Sequence, residues 1–306
     1  MFKHLLLFAG LFFIALFADA QTANLYKYKD KVFPDITIVK DLNYAPNARL
    51  GEKTPWLFDL YQPKGDDSVS RPLIIWMHGG GFKFGTKEAK EIRIWSKTFA
   101  QRGYVCAAIN YRLSKKNPLL NFSELKKSCY YGVKDAKMAV QYFKQCYAIY
   151  NIDTNKIILA GNSAGGIIAL QATYSTNTEL AKMAGVPDTS ADKQGLLKVA
   201  GVINFWGAIF DLDWLKNARV PIVSVLGNRD YIVPPTHKGP PLYGGVDIHQ
   251  RADVLGTPNE LKVFYGYSHQ LQKQFNPLFA GGKGTQKRWL GAGQFAADFL
   301  YKSLFK

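Results

Sequence analysis

Three cysteines, four methionines and five histidines are all that this chain of 306 residues holds of those types. Such cysteine poverty excludes a disulfide-built scaffold. An odd number leaves at least one free thiol. Cys129 and Cys146 fall in one predicted helix, which separates them by roughly 25 Å at 1.5 Å per residue, beyond disulfide reach. Cys106 lies in the strand-like run Tyr104 to Ile109 and reads as a small buried apolar residue. No disulfide is expected. Acidic residues are also scarce, 23 against 39 lysines and arginines, for a net charge of +16. The basic residues are spread along the chain in pairs at most, as at Lys115-Lys116 and Lys126-Lys127. That favours solubility and loose attraction to anionic surfaces over a dedicated nucleic-acid patch. There is no internal repeat or low-complexity tract, and beyond the first twenty residues no apolar run approaches the ~20 residues that cross a bilayer.

What is present begins with a leader. Lys3 and His4 make a short basic start, Leu5 to Phe17 is almost wholly apolar, and Ala18-Asp19-Ala20 fits a small-x-small cleavage site. An apolar run of about 13 residues is too short to span a membrane, so a signal peptide over residues 1–20 is expected, with a secreted or periplasmic chain after it. The remaining residues, 21–306, read as a single catalytic domain. With 47% hydrophobic and 20% charged residues, its composition is that of an ordinary globular enzyme.

Strand and helix signals alternate. Leu57 to Tyr61 alternates toward Pro63, and Leu73 to Met77 is a buried run. A helix from Lys87 to Gln101 ends at Gly103, and Tyr104 to Ile109 is the next strand. Leu125 to Tyr147 carries Val133, Ala136, Ala139, Val140 and Phe143 at the spacing of one helix face. Ile157 to Ala160 is a strand followed by a helix through Ile167 to Tyr174. Val199 to Phe205, Ile222 to Leu226 and Leu261 to Phe264 are further strands, Val246 to Leu255 is a helix, and Phe295 to Leu304 is a closing one. The pattern predicts an α/β fold: a mostly parallel sheet of about eight strands with helices on both faces, binding ligands at the carboxyl ends of the strands.

Two short stretches sit at such ends. His78-Gly79-Gly80-Gly81 follows Leu73 to Met77, and Gly161-Asn162-Ser163-Ala164-Gly165 follows Ile157 to Ala160. The second reads as a nucleophile elbow, in which glycines permit a sharp strand-to-helix turn that exposes a serine hydroxyl. The first supplies backbone N–H groups for a developing oxyanion. Together they describe a site for attack on an ester carbonyl. His78 itself is expected to organise its loop and take no part in proton transfer.

A general base must come from the other histidines. His249 lies in a predicted helix, with a solvated surface position expected, and His237 sits in the loop Pro-Pro-Thr-His-Lys-Gly-Pro-Pro. His269 follows a strand in Gly266-Tyr267-Ser268-His269 and is the leading candidate. For the carboxylate that fixes the base's tautomer, Asp230 leads, with Asp211, Asp213 and Asp247 as rivals. Arg112 and Asp135 read as an ion pair between a strand end and a helix.

The order Ser, Asp, His is that of the α/β-hydrolases. From about Leu57 onward the chain resembles carboxylesterases of that superfamily, near the bacterial feruloyl-esterase-like group. The residues carrying the resemblance are His78-Gly79-Gly80-Gly81-Phe82, Asn110-Tyr111-Arg112-Leu113, Asp135-Ala136, Gly161 to Gly166, Gly227-Asn228-Arg229-Asp230 with Val233-Pro234, and Gly266 to His269. It implies Ser163 as nucleophile, His269 as base, Asp230 as its partner, the N–H groups of Gly80, Gly81 and Ala164 as oxyanion donors, and no metal or organic cofactor. Two departures stand out. Relatives often carry an acidic residue where this chain has Asn162, and Gln270 to Gly293 is longer than the usual passage to the last helix.

Substrate is less determined. Phe82, Phe84, Trp206 and Trp214 are candidates for pocket walls, with Phe82 and Trp206 foremost, against a competing role in packing. Export and the resemblance favour short-chain or aromatic acyl esters, such as acetyl or feruloyl groups on polysaccharide. An aromatic polyester or a lipid ester is the alternative. A peptidase or an inactive binding module is the reading from another class, but no large accessory domain fits in the chain and no triad residue is missing.

Overall fold

A computed structural model of the protein describes residues 26–45, 56–189, 195–239, 241–277 and 281–306. The expected signal peptide, residues 1–20, lies outside them.

These residues build one eight-stranded sheet: β1 (Ile36–Asn43), β2 (Leu57–Pro63), β3 (Arg71–Met77), β4 (Val105–Ile109), β5 (Ile152–Asn162), β6 (Gly201–Phe205), β7 (Ile222–Gly227) and β8 (Asn259–Phe264). The spatial order is β1-β2-β4-β3-β5-β6-β7-β8. β3 to β8 run parallel, while β2 is antiparallel to both β1 and β4. Among the described residues seven α-helices connect or flank the strands: α1 (Lys90–Ala100), α2 (Phe122–Gln145), α3 (Tyr147–Tyr150), α4 (Ala164–Tyr174), α5 (Asn177–Ala184), α6 (Gly245–Leu255) and α7 (Lys283–Phe305).

Both faces of the central strands are covered, so their buried residues are mostly apolar and alternate between two cores, while the buried Asn204 of β6 and Ser224 of β7 hydrogen-bond to each other. From β3, Leu73, Ile75 and Met77 join Val133, Ala136 and Phe143 of α2 and Ile167, Ile168 and Leu170 of α4. Ile74 and Trp76 point the other way, to Ile92, Trp95 and Phe99 of α1 and Trp289, Ala296 and Leu300 of α7. α4 lies directly behind the serine turn and is buried along its whole length. It forms the rigid support of the site.

Two expectations are corrected, and one strand was not expected. α7 begins at Lys283, twelve residues before the expected Phe295, so much of Gln270 to Gly293 is helix. Glycines at 284, 291 and 293 blur its apolar period, yet Gly293 lies so close to Trp95 that a Cβ there would stand 3.1 Å from the indole Cδ1. His249 is buried, contrary to its expected surface position, with Nδ1 2.5 Å from Oδ1 of Asn259 at the start of β8. β1 carried no sequence signal because it is a largely exposed edge strand containing Lys40 and Asp41.

Candidate active site

Ser163 caps the turn between β5 and α4 with φ 52° and ψ −119°. A non-glycine residue in this region is strained, and such strain persists only where the surroundings enforce it. Here the Ser163 N–H donates to the Phe205 carbonyl at the end of β6, 2.9 Å away. Crowding on both sides demands the flanking glycines: a Cβ at Gly165 would stand 2.0 Å from the Met77 carbonyl oxygen, and one at Gly161 would stand 2.4 Å from the carbonyl carbon of Gly165.

The structure brings the leading base and acid to this serine from two other strand ends. His269 Nε2 lies 2.9 Å from Ser163 Oγ, and its Nδ1 lies 2.7 Å from Asp230 Oδ2. The other carboxylate oxygen, Oδ1, accepts the N–H groups of Ile232 and Val233 at 2.9 Å each. All three side chains are buried. Because an ionised carboxylate only accepts, Nδ1 carries the proton and donates it to Asp230, which leaves Nε2 to accept from the serine hydroxyl.

The glycine loop packs against the elbow. A Cβ at Gly79 would stand 3.4 Å from Ser163 Cβ. Gly80 and Gly81 have φ of 112° and 60°, conformations open to glycine, and the Gly80 carbonyl accepts the N–H groups of Lys83 and Phe84 in a tight turn. Ala164 is the first residue of α4, where backbone N–H groups have no partner within the helix and the helix dipole favours negative charge. His78 braces the loop. Its Nδ1 donates to the Gly79 carbonyl at 2.7 Å, its ring stacks on Tyr111 with centroids 4.4 Å apart, and the Tyr111 hydroxyl donates to the His78 carbonyl. Burial holds its imidazole down to about 4, neutral at ordinary pH.

The rival residues lie elsewhere in the bonding pattern. The His237 ring stacks on Tyr243 and its backbone N–H donates to Asp247; Asp211 accepts the backbone N–H of Asp213, which pairs with Lys216 and Arg251. Arg112 and Asp135 form the expected ion pair at 2.7 Å, joining the end of β4 to α2. The pocket-wall expectation for Phe82 and Trp206 is corrected. Both are only 1% exposed: Phe82 has turned into the α2 and α4 core, and Trp206 packs on Phe205 and Trp95 on the other face. Phe84, 63% exposed, is the aromatic residue of that loop that meets solvent.

Two residues that carried no motif also bear on the site. Glu91 of α1 is buried and accepts from Asn162 Nδ2 at 3.2 Å, directly beside the serine. Phe275 stands edge-to-face on the His269 ring, centroids 5.0 Å apart. Neither could be placed from spacing alone, since each reaches the site through the tertiary fold.

The BD-FAE family model matches residues 58–230, more than half of the chain. The chain belongs to the BD-FAE family. The match bears out the resemblance to α/β-hydrolase carboxylesterases read from the sequence. Among curated proteins, the chain is similar to the probable carboxylic ester hydrolase LipM of Mycobacterium tuberculosis, 23% identical across 80% of this chain and 54% of that protein. It is also similar to human bile salt-activated lipase, 30% identical across 48% of this chain and 20% of that protein. The chain therefore spans about half or less of the length of these relatives. Among solved structures, native esterase 2 of Thermogutta terrifontis superposes with a TM-score of 0.60 at 21% identity, covering 89% of this chain and 94% of that one. The same enzyme phosphorylated by paraoxon gives 0.61 at 20% identity, covering 89% and 96%. This likeness establishes the α/β-hydrolase fold.

Proposed function

We propose that the protein is a serine carboxylesterase acting through an acyl-enzyme on short-chain or aromatic acyl esters. The observation that carries the reading is the continuous chain of contacts from Ser163 Oγ through both nitrogens of His269 to Asp230, built on a strained elbow. Family membership and the relatives named as ester hydrolases support the same reaction class.

In this reading Ser163 Oγ attacks the ester carbonyl carbon while His269 Nε2 takes the hydroxyl proton. The carbonyl oxygen becomes negative and is held by the N–H groups of Gly80, Gly81 and Ala164. Asp230 stabilises the imidazolium, which returns the proton to the departing alcohol oxygen. Water then attacks the acyl-serine with His269 again as base, releasing the acid and restoring the hydroxyl.

The exported chain after residue 20 would meet acylated polysaccharide or polyester outside the cell. Among the described residues no helix is long and apolar enough to cross a membrane. Initial rates on acetyl, butyryl, octanoyl, feruloyl and terephthaloyl esters test the assignment. The expected order has kcat/KM highest for acetyl to butyryl or feruloyl esters and falling by octanoyl. Rates that climb steadily to long chains, or jump at an oil-water interface, would make the protein a lipase instead.

A further inference from the structure

The segment after His269 holds an unusual amount of structure for a loop. Gln270 and Leu271 both have left-handed backbone, with φ of 55° and 57°, and the Leu271 side chain is fully buried. α7 fastens both residues from outside: Trp289 Nε1 donates to the Gln270 carbonyl at 2.8 Å and Arg288 Nε to the Leu271 carbonyl at 2.7 Å. The loop then closes on itself, because Gln272 Oε1 accepts the Asn276 N–H at 2.9 Å and the Gln272 carbonyl accepts the Ser268 N–H at 2.7 Å. These bonds deliver the half-buried Phe275 onto His269 with the two rings nearly perpendicular, at 88°. The exposed Tyr231, next to Asp230, reaches the Phe275 carbonyl from the opposite loop at 3.4 Å.

The chemistry of the proposed esterase assigns a direction to this arrangement. In the tetrahedral intermediate the negative oxygen lies toward the glycine loop, and the departing alcohol oxygen must lie at His269 Nε2 to receive its proton. A ring packed on His269 therefore borders the alcohol half of the ester. We propose that Phe275 is the alcohol-side wall and selects esters whose alcohol carries an aromatic or bulky apolar body. The proposal rests on the serine-esterase reading above. An edge or face of Phe275 would meet such a body in the offset or perpendicular geometry that aromatic pairs prefer.

The wall acts only while the alcohol is bound. Acylation should feel its loss, and hydrolysis of the acyl-enzyme should not, since the alcohol has then left. The test compares wild type, Phe275→Ala and Phe275→Leu on acetate esters of ethanol, cyclohexanol and benzyl alcohol, and on ethyl esters of acetic, butyric and ferulic acids. Phe275→Ala is expected to lower kcat/KM for benzyl acetate relative to ethyl acetate by about tenfold, with Phe275→Leu intermediate. The decay of acetyl-enzyme in a quenched single-turnover experiment should be unchanged in all three. A uniform fall across every ester, or a change in the acyl series with the alcohol series untouched, would overturn the proposal and leave Phe275 a support for His269. Intact mass of wild-type enzyme treated with a serine-directed phosphonate separates the two levels: absence of an adduct on Ser163 would remove the serine reading itself, whereas an adduct with unchanged alcohol preference in the variants would remove only the wall.

Discussion

Asn162 Nδ2 donates to Glu91 Oε1 across 3.2 Å, joining the residue before the serine to a buried carboxyl on α1. The sequence departs from its resembling family by having an amide at position 162, and an acid is nonetheless present in that space, supplied from another element. Burial raises the Glu91 carboxyl above its ordinary value of 4.5, with hydrogen bonds from its own backbone N–H and from Asn162 opposing the shift.

A raised value means that folding favours the protonated form. Its contribution to stability is fully present below about pH 4.5 and declines as pH rises through the raised value. Glu91→Gln keeps an oxygen acceptor for Asn162 and removes the charge. The thermal midpoint of this variant is expected to exceed that of wild type at pH 8, on the order of a few degrees, with the gap closing toward pH 4. Midpoints that differ equally at both pH values would contradict a burial-driven origin.

Ser163→Ala is expected to lower kcat by on the order of 10⁴-fold or more, since no other group can carry the acyl chain. A serine-directed phosphonate should add once, at this residue. Peptide mapping of the adduct to another serine would end the assignment.

Among the histidines, His269→Ala is expected to abolish activity, while His237→Ala retains it within about tenfold, because His269 holds the contact to Ser163 Oγ and the His237 ring stacks on Tyr243. His249→Ala should also keep its turnover per folded molecule within about tenfold, though at reduced stability. An indispensable His237 would show that a different loop supplies the base.

Burial of two histidines is expected to set the acid limit of the fold. His78 and His249 are each held down to about 4 by desolvation, opposed by a hydrogen bond to the Gly79 carbonyl and to Asn259 respectively. A lowered value means that their neutral forms are the folded ones. This stability is present above about pH 6.5 and is lost as pH falls through about 4. Urea midpoints should drop across that window, and His249→Gln should flatten the drop. An equally steep fall in the variant would assign the acid limit to other groups.

The legible parts of the chain were those where one local pattern sufficed. Continuous apolar runs such as Leu73 to Met77 marked central strands, because strands covered on both faces take apolar residues at most positions. The elbow and glycine loop were readable because backbone conformation demands glycine at particular spacings. Asp230 and His269 were reached by combining strand ends with chain order. Glu91, the burial of His249 and the contact of Phe275 with His269 were not legible. Each depends on how separate elements pack, and a lone Glu, His or Phe in a polar or helical stretch looks the same whether it faces solvent or a neighbour. The burial of Phe82, whose backbone is left-handed with φ of 61°, was hidden for a related reason, since an aromatic beside a glycine loop looks the same whether it faces the core or the site.

The glycine loop gives a test independent of the triad. Gly85 has φ of 97°, and a Cβ there would lie 2.5 Å from both the Gly79 carbonyl oxygen and His78 Nδ1, the two atoms that hydrogen-bond to each other to brace the loop. Gly85→Ala must therefore displace either the imidazole or the Gly79 peptide, and with it the N–H groups of Gly80 and Gly81. Loss of one preorganised donor in such a site typically costs on the order of 10²–10³ in kcat. The variant is expected to lose kcat in that range while retaining its cooperative unfolding transition. Since His269 and Asp230 are untouched, the shape of its pH-rate profile should match wild type. An altered profile would mean that the strain reaches the triad, and undiminished kcat would mean that the glycine loop does not hold the oxyanion.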